Sequence, residues 1–191
     1  MIGIEQAQVP KVDERCGKNF KYRDFFECSN TYKNTGIENI PRELATYKSY
    51  QVLANLIIDP VIKKFGSLTL TYGFCGNNLS KFVHGPHSPR LDQHAGHEKN
   101  SRGLPICKRL GAAIDFKVGD FGSLAVAQWI VSNCDFDRLY IYGETRPLHV
   151  SIGPEKTRSV ILMRKGKLNK KNLFPQRISV NKFLKLKSFC S

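Results

Sequence analysis

The chain has 191 residues, 41% of them hydrophobic, and a formal net charge of +14. That length suits one domain with a well-buried core, and no stretch reads as an interdomain linker. No apolar run is long enough to span a bilayer as a helix, and Met1-Ile2-Gly3-Ile4-Glu5-Gln6 lacks the basic-then-apolar order of a secretory signal, so a cytoplasmic protein is expected.

In chain order, the first clear element is a helix from about Ser49 to Phe65, where Leu53, Leu56, Ile57, Val61 and Lys64 fall near helical spacing and Gly66 stands at the C-cap. Pro60 predicts a kink or a break after Asp59. Leu68, Leu70 and Tyr72 alternate with Thr69 and Thr71 as a strand does. Residues 73–110 are rich in Gly, Pro, His and Asn and show no sustained period, which predicts a long loop of the kind that carries function. A strand from Ala112 to Val118 follows, then a helix from about Ser123 to Ser132. Strands are expected over Arg138 to Tyr142, Leu148 to Ile152 and Ser159 to Met163. The order predicts a single α+β domain over residues 1–191, an antiparallel sheet with helices on one side.

Charge is unevenly spread. From Glu155 to Ser191 there are eleven Lys or Arg residues against the single acid Glu155. A basic extension over about 164–191 suits a polyanionic partner, either nucleic acid or an anionic cell-wall polymer, or else simply keeps the surface solvated. Its last two dozen residues are expected to be loosely held. The six cysteines are scattered with no Cys-x-x-Cys pair, and in a cytoplasm they read as free thiols.

Three separate stretches offer zinc-type ligands: Asp92-Gln93-His94, the block Gly111 to Asp115, and Pro147 to Ser151. Strand alternation puts Asp115 on the face opposite Ile114 and Phe116, and His149 with Ser151 opposite Leu148, Val150 and Ile152. Both polar groups therefore leave the apolar side of their strands, where a divalent metal would satisfy them. Two imidazoles and one carboxylate leave a tetrahedral zinc with an open fourth position, the pattern of a catalytic site.

The chain resembles the zinc D-alanyl-D-alanine carboxypeptidases, whose fold is shared with the hedgehog signalling domain. Residues 20–29 and 36–41 resemble the family's opening segment, Leu53 to Gly66 its first core helix, and Leu70-Thr71-Tyr72-Gly73-Phe74 its next strand. Gly111-Ala112-Ala113-Ile114-Asp115 is similar to its His-x-x-Gly-x-Ala-x-Asp block with the His moved, and His149-Val150-Ser151 to its closing strand. Lys108 stands where the first ligand would fall. Asp92-Gln93-His94 resembles the family's Ser-Gln-His, so residues 95–110 read as an insertion, with His97 as the competing ligand and His84 and His87 as weaker ones.

The resemblance implies a hedgehog/DD-peptidase-like fold, Zn2+ held by His94, Asp115 and His149, and hydrolysis of an amide bond in a peptidoglycan-type peptide by metal-activated water. Two departures accompany it. Cys75-Gly76 replaces the family's substrate Arg, and Arg146 replaces the acid three residues before the last ligand. Glu144 is then the candidate general base with Glu98 as a second, and Arg146 could hold a substrate carboxylate or phosphate. A phage-encoded lysin released at host lysis fits these features. So do a nucleic-acid-related role on the same fold and a zinc-stabilised binding module without chemistry.

Overall fold

A computed structural model describes residues 8–84, 88, 90–165 and 173–189. Two short helices, α1 (Tyr22–Phe26) and α2 (Asn30–Thr35), precede the first long helical segment. That segment has three parts: α3 (Leu44–Leu53), a π-helical turn (Ala54–Ile58) and α4 (Asp59–Phe65). It therefore begins five residues before the expected start, and the irregularity lies ahead of Asp59 rather than after it. Pro60, in the first turn of α4, has no N–H to give the ladder, and the wider π turn absorbs the lost bond, with the Asp59 N–H bonded to the Ala54 carbonyl.

The remaining elements are β1 (Thr69–Tyr72), α5 (Asn77–Ser80), a 3₁₀ turn (Gln93–Ala95), β2 (Ala112–Lys117), α6 (Ser123–Asn133), β3 (Arg138–Ile141), β4 (Leu148–Ile152), β5 (Ser159–Lys165), β6 (Leu173–Ile178) and α7 (Val180–Phe183). The strands form one mixed sheet in the order β1-β2-β4-β3-β5-β6. Four of its pairs are antiparallel as expected, but β3 and β5 run parallel. After β4 the chain crosses to the far edge of β3 through residues 153–158. That crossing is fastened by Thr157, whose N–H and hydroxyl donate to the side chain and carbonyl of Asp137, both at 2.9 Å.

One face of the sheet is the core. Ile114, Phe116, Leu139, Ile141, Leu148, Val150, Val160 and Leu162 pack there with Tyr47, Tyr50, Leu53, Ile57 and Val61 from the first helical segment and Leu124, Ala127 and Ile130 from α6. The alternation in these strands thus separates an apolar side, where the helical residues pack, from a side that carries Asp115, Tyr140, His149 and Ser151.

In the basic C-terminal segment, the described residues 173–189 include a strand and a short helix. β6 pairs along its whole length with β5, and Phe183 of α7 is fully buried in the core. Arg158 closes the C-terminal end of α6 by donating to the carbonyls of Val131 at 2.6 Å and Cys134 at 2.9 Å, so it serves the fold. Among the described residues, no helix is long and apolar enough to cross a membrane.

Candidate metal centre

β2 and β4 pair so that Asp115 faces His149 directly across the ladder. The carboxylate Oδ1 lies 2.8 Å from His149 Nδ1. His94 completes the cluster from the 3₁₀ turn, with Nε2 3.3 Å from Asp115 Oδ1 and 3.2 Å from His149 Nδ1. Each residue thus offers one donor atom to a common point, and the three come from a loop and two strands.

The turn that presents His94 is built for that purpose. Asp92 caps it, its side chain accepting the His94 backbone N–H at 3.0 Å. Gln93, almost fully buried, ties the turn to the sheet. Its Oε1 accepts from the Ser151 hydroxyl at 2.8 Å, and its Nε2 lies 2.9–3.1 Å from the carbonyls of Leu110 and Ile152 and from Asp137 Oδ2. The imidazole is fixed as well: Nδ1 donates to the Gly73 carbonyl at 2.8 Å, which turns the Nε2 lone pair toward Asp115 and His149. Gly73 cannot carry a side chain, because a Cβ would stand 1.9 Å from the Phe25 carbonyl oxygen.

Electrostatics bind the cluster further. Burial pushes the Asp115 carboxyl up, but the imidazoles of His94 and His149 outweigh it and hold the group well below the usual carboxylate range. Burial acts to lower the His94 imidazole, yet the carboxylates of Asp92 and Asp115 raise it above the ordinary value. Side-chain exposure rises from 4% at His94 through 11% at His149 to 22% at Asp115, so the cluster opens to solvent on its carboxylate side. Tyr72 packs edge-on to the His94 ring at 4.4 Å, and Tyr140 stands perpendicular to the His149 ring at 5.1 Å.

The donor set fits a zinc ion. Bonds of about 2.0–2.1 Å at tetrahedral angles separate ligand atoms by about 3.3 Å. Two of the three separations, 3.2 and 3.3 Å, already match, and the third, 2.8 Å, asks Asp115 to retreat by about half an ångström. The second nitrogen of His94 is held by a carbonyl, the outer contact that ligating histidines commonly make.

Other sequence candidates fall elsewhere. His97 Nε2 accepts from the Gly111 N–H at 3.1 Å and pairs with the Ser49 hydroxyl at 2.9 Å, outside the cluster. Burial lowers its pKa against the opposing carboxylates of Glu43 and Glu98. Glu98 is buried and caps α3, accepting from Arg42 N at 3.0 Å, Glu43 N at 3.1 Å and the Thr46 hydroxyl at 2.8 Å. His84 is exposed, and His87 lies outside the described residues. Lys108 is exposed, its N–H bonded to the Arg90 carbonyl. The five described cysteines are free thiols.

Glu144 and Arg146 are exposed on the turn from β3 to β4. The Glu144 carboxylate rests against Gly122, where a Cβ would stand 1.9 Å from its Oε1. The carbonyls of Glu144 and Arg146 accept from the N–H and the hydroxyl of Ser123, respectively. Both residues border a depression with Phe116 and Leu148, whose side chains are on the opposite strand face from Asp115 and His149. The fold brings together His94, Asp115 and His149, and no hydrogen bond or ion pair joins Glu144 or Arg146 to them.

Two contacts lie beyond what the sequence pattern indicates. The Gln93–Ser151 bond spans 58 residues, and its only local signal is that Ser151 shares a strand face with His149. Arg109, just before β2, donates from Nη1 to the Leu91 carbonyl at 2.9 Å and to the Tyr140 hydroxyl at 3.5 Å, beside the cluster. No family model, curated protein or solved structure matches the chain, so the donor set and its geometry carry the functional reading.

Proposed function

We propose that this chain is a zinc-dependent hydrolase in which His94, Asp115 and His149 hold one metal ion and an amide bond is cleaved on the open, Asp115 side. The observation that carries this reading is the convergence of three donor atoms from distant segments, one of them oriented by a carbonyl behind it. A zinc ion held there supplies a water acidified toward neutral pH and polarises the scissile carbonyl.

The protein's own part is to orient the ligands and to move a proton. A carboxylate near the cluster is needed to take the proton and pass it to the leaving amine. Glu98 is committed to the start of α3, which leaves Glu144 and, as a candidate that the sequence pattern does not offer, Asp92. Asp92 is bonded to the backbone of a ligand and its charge acts on the His94 ring, whereas Glu144 rests on Gly122, so we assign the role to Asp92. The substrate we propose is a peptidoglycan-type peptide, in keeping with the resemblance and with a basic surface suited to an anionic wall.

Zinc content measured by mass spectrometry, with clearing of a peptidoglycan gel by the zinc-loaded protein, tests this. Wild type should hold one zinc per chain and clear the gel, and His94→Ala and His149→Ala should do neither. A fully loaded protein that clears nothing would sink the peptidoglycan assignment but leave the metal.

A second reading rests on the edge strand. β6 is largely exposed and carries Arg177, and Lys182 follows on α7, so nucleic acid is the alternative polyanion. A salt-sensitive gel shift would favour it.

A further inference from the structure

Arg109 is half-buried at the end of the loop that carries His94. Its Nη1 is spent on the Leu91 carbonyl and the Tyr140 hydroxyl. Tyr140 is the register partner of His149 on the next strand, and its ring stands against that imidazole. The guanidinium is therefore held on the cluster's own face of the sheet, one side chain away from a ligand. Among the described residues it makes no ion pair, and its Nε and Nη2 donate to none of them. Asp92, next to Leu91, accepts the His94 N–H, and Asp137 and Glu155 pair with Arg138. A cation anchored through one nitrogen, with its other donors uncommitted, is suited to receive an oxyanion, and the planar fork can do so with two parallel bonds.

We propose that Arg109 is the anion-binding residue of the His94/Asp115/His149 site and holds a carboxylate or phosphate of the substrate through its free donors. The proposal rests on the metal-site reading and narrows it: the amide that is cleaved carries an oxyanion close to the scissile bond. It also gives to Arg109 the part that sequence alone offers to Arg146, which stands on the β3–β4 turn. Tyr140 acts as a positioning residue, since its hydroxyl contacts the guanidinium at 3.5 Å and its ring packs against His149.

The test is calorimetric titration of the protein with sodium acetate and with inorganic phosphate, in zinc-loaded and metal-free forms, with zinc content measured on the same samples. In the zinc-loaded protein, Arg109→Ala should weaken binding of the preferred anion at least tenfold while zinc content is unchanged. Arg109→Lys should fall between, and Tyr140→Phe should weaken binding about threefold. The stronger of the two anions identifies carboxylate or phosphate as the group recognised. Unchanged affinity in a fully loaded Arg109→Ala protein overturns the proposal, even if that variant melts at a lower temperature, because the arginine then serves only to hold the loop. Wild type that binds neither anion overturns it too. Wild type that takes up no zinc overturns the metal reading instead, and the metal-free titration must then still show loss of anion binding in Arg109→Ala.

Discussion

Gln93 and Ser151 are joined by a buried hydrogen bond of 2.8 Å, and this bond fastens the loop bearing His94 to the strand bearing His149. Ser151 is two residues from His149 on the same strand face, and Gln93 directly precedes His94. The cluster geometry therefore depends on a pair of side chains that touch no metal. Gln93→Ala should leave all three ligands in the chain yet lower zinc affinity about 10- to 100-fold, the range expected when an outer contact of a metal site is removed. It also removes the amide's bonds to Ser151, Asp137 and the carbonyls of Leu110 and Ile152, a loss of about 1–3 kcal/mol in stability. Competition with a zinc chelator and thermal melts read the two effects separately. Zinc affinity equal to wild type would show that the turn holds its place without the tether.

Glu98 makes a contrasting prediction. Its carboxylate accepts two backbone N–H groups and a hydroxyl at the start of α3, from residues 52–56 positions away. Glu98→Ala should destabilise the protein by about 2–3 kcal/mol, because it removes a charge-assisted cap and leaves the buried Thr46 hydroxyl without its acceptor. Zinc affinity should stay within about twofold, since loss of a distant cap leaves the three ligands in place. A chelator titration that shows strong loss of zinc would contradict the capping role.

The difference between these residues explains how much of the site the sequence discloses. Asp115 and His149 are legible because strand alternation is a local rule, and both sit opposite apolar neighbours in runs of five or six residues. His94 is recoverable from its short motif, but the choice over His97 is not, because it depends on which imidazole finds Gly73 and which finds Ser49 and Gly111. Spacing alone selects Glu144 as a base. Spacing does not say where a turn side chain points, and here it points to Gly122. The same limit applies to the fold: alternation marks β3 and β5 as strands, while their parallel pairing depends on a crossover held by Asp137 and Thr157.

If the cluster holds zinc, metal and proton compete for it, and the sign of the competition is testable. In the metal-free protein His94 is raised above its ordinary 6.5, so its stabilising contribution is complete below that value and is lost as pH rises through the folded pKa. Asp115 is depressed from 3.8, so its contribution is present above that value and is lost only as pH falls through the lower folded pKa. The metal-free protein should therefore lose the His94 contribution on the alkaline side and keep that of Asp115. Zinc requires deprotonated ligands, so the zinc-dependent rise in melting temperature should grow from about pH 6 to about pH 8. Melts with zinc and with chelator across that range measure the increment directly. An increment that shrinks with pH would remove His94 from the ligand set.

The last prediction separates the two candidate bases. Asp92→Asn preserves the cap, because an asparagine Oδ1 can still accept the His94 N–H, but it removes the charge that acts on the ring. Glu144→Gln changes a side chain that rests on Gly122 and makes no hydrogen bond to the cluster. If Asp92 takes the proton, Asp92→Asn should lower kcat on a peptidoglycan peptide by about 100-fold or more while zinc content stays at one per chain. The acid limb of the pH–rate profile should disappear with it. Glu144→Gln should keep kcat within about threefold, as a surface change away from the reacting atoms does. The opposite result, a collapse of kcat in Glu144→Gln with Asp92→Asn unaffected, would mean that the β3–β4 turn swings its carboxylate from Gly122 to the cluster when substrate binds. The proton would then be carried by the residue that spacing selects.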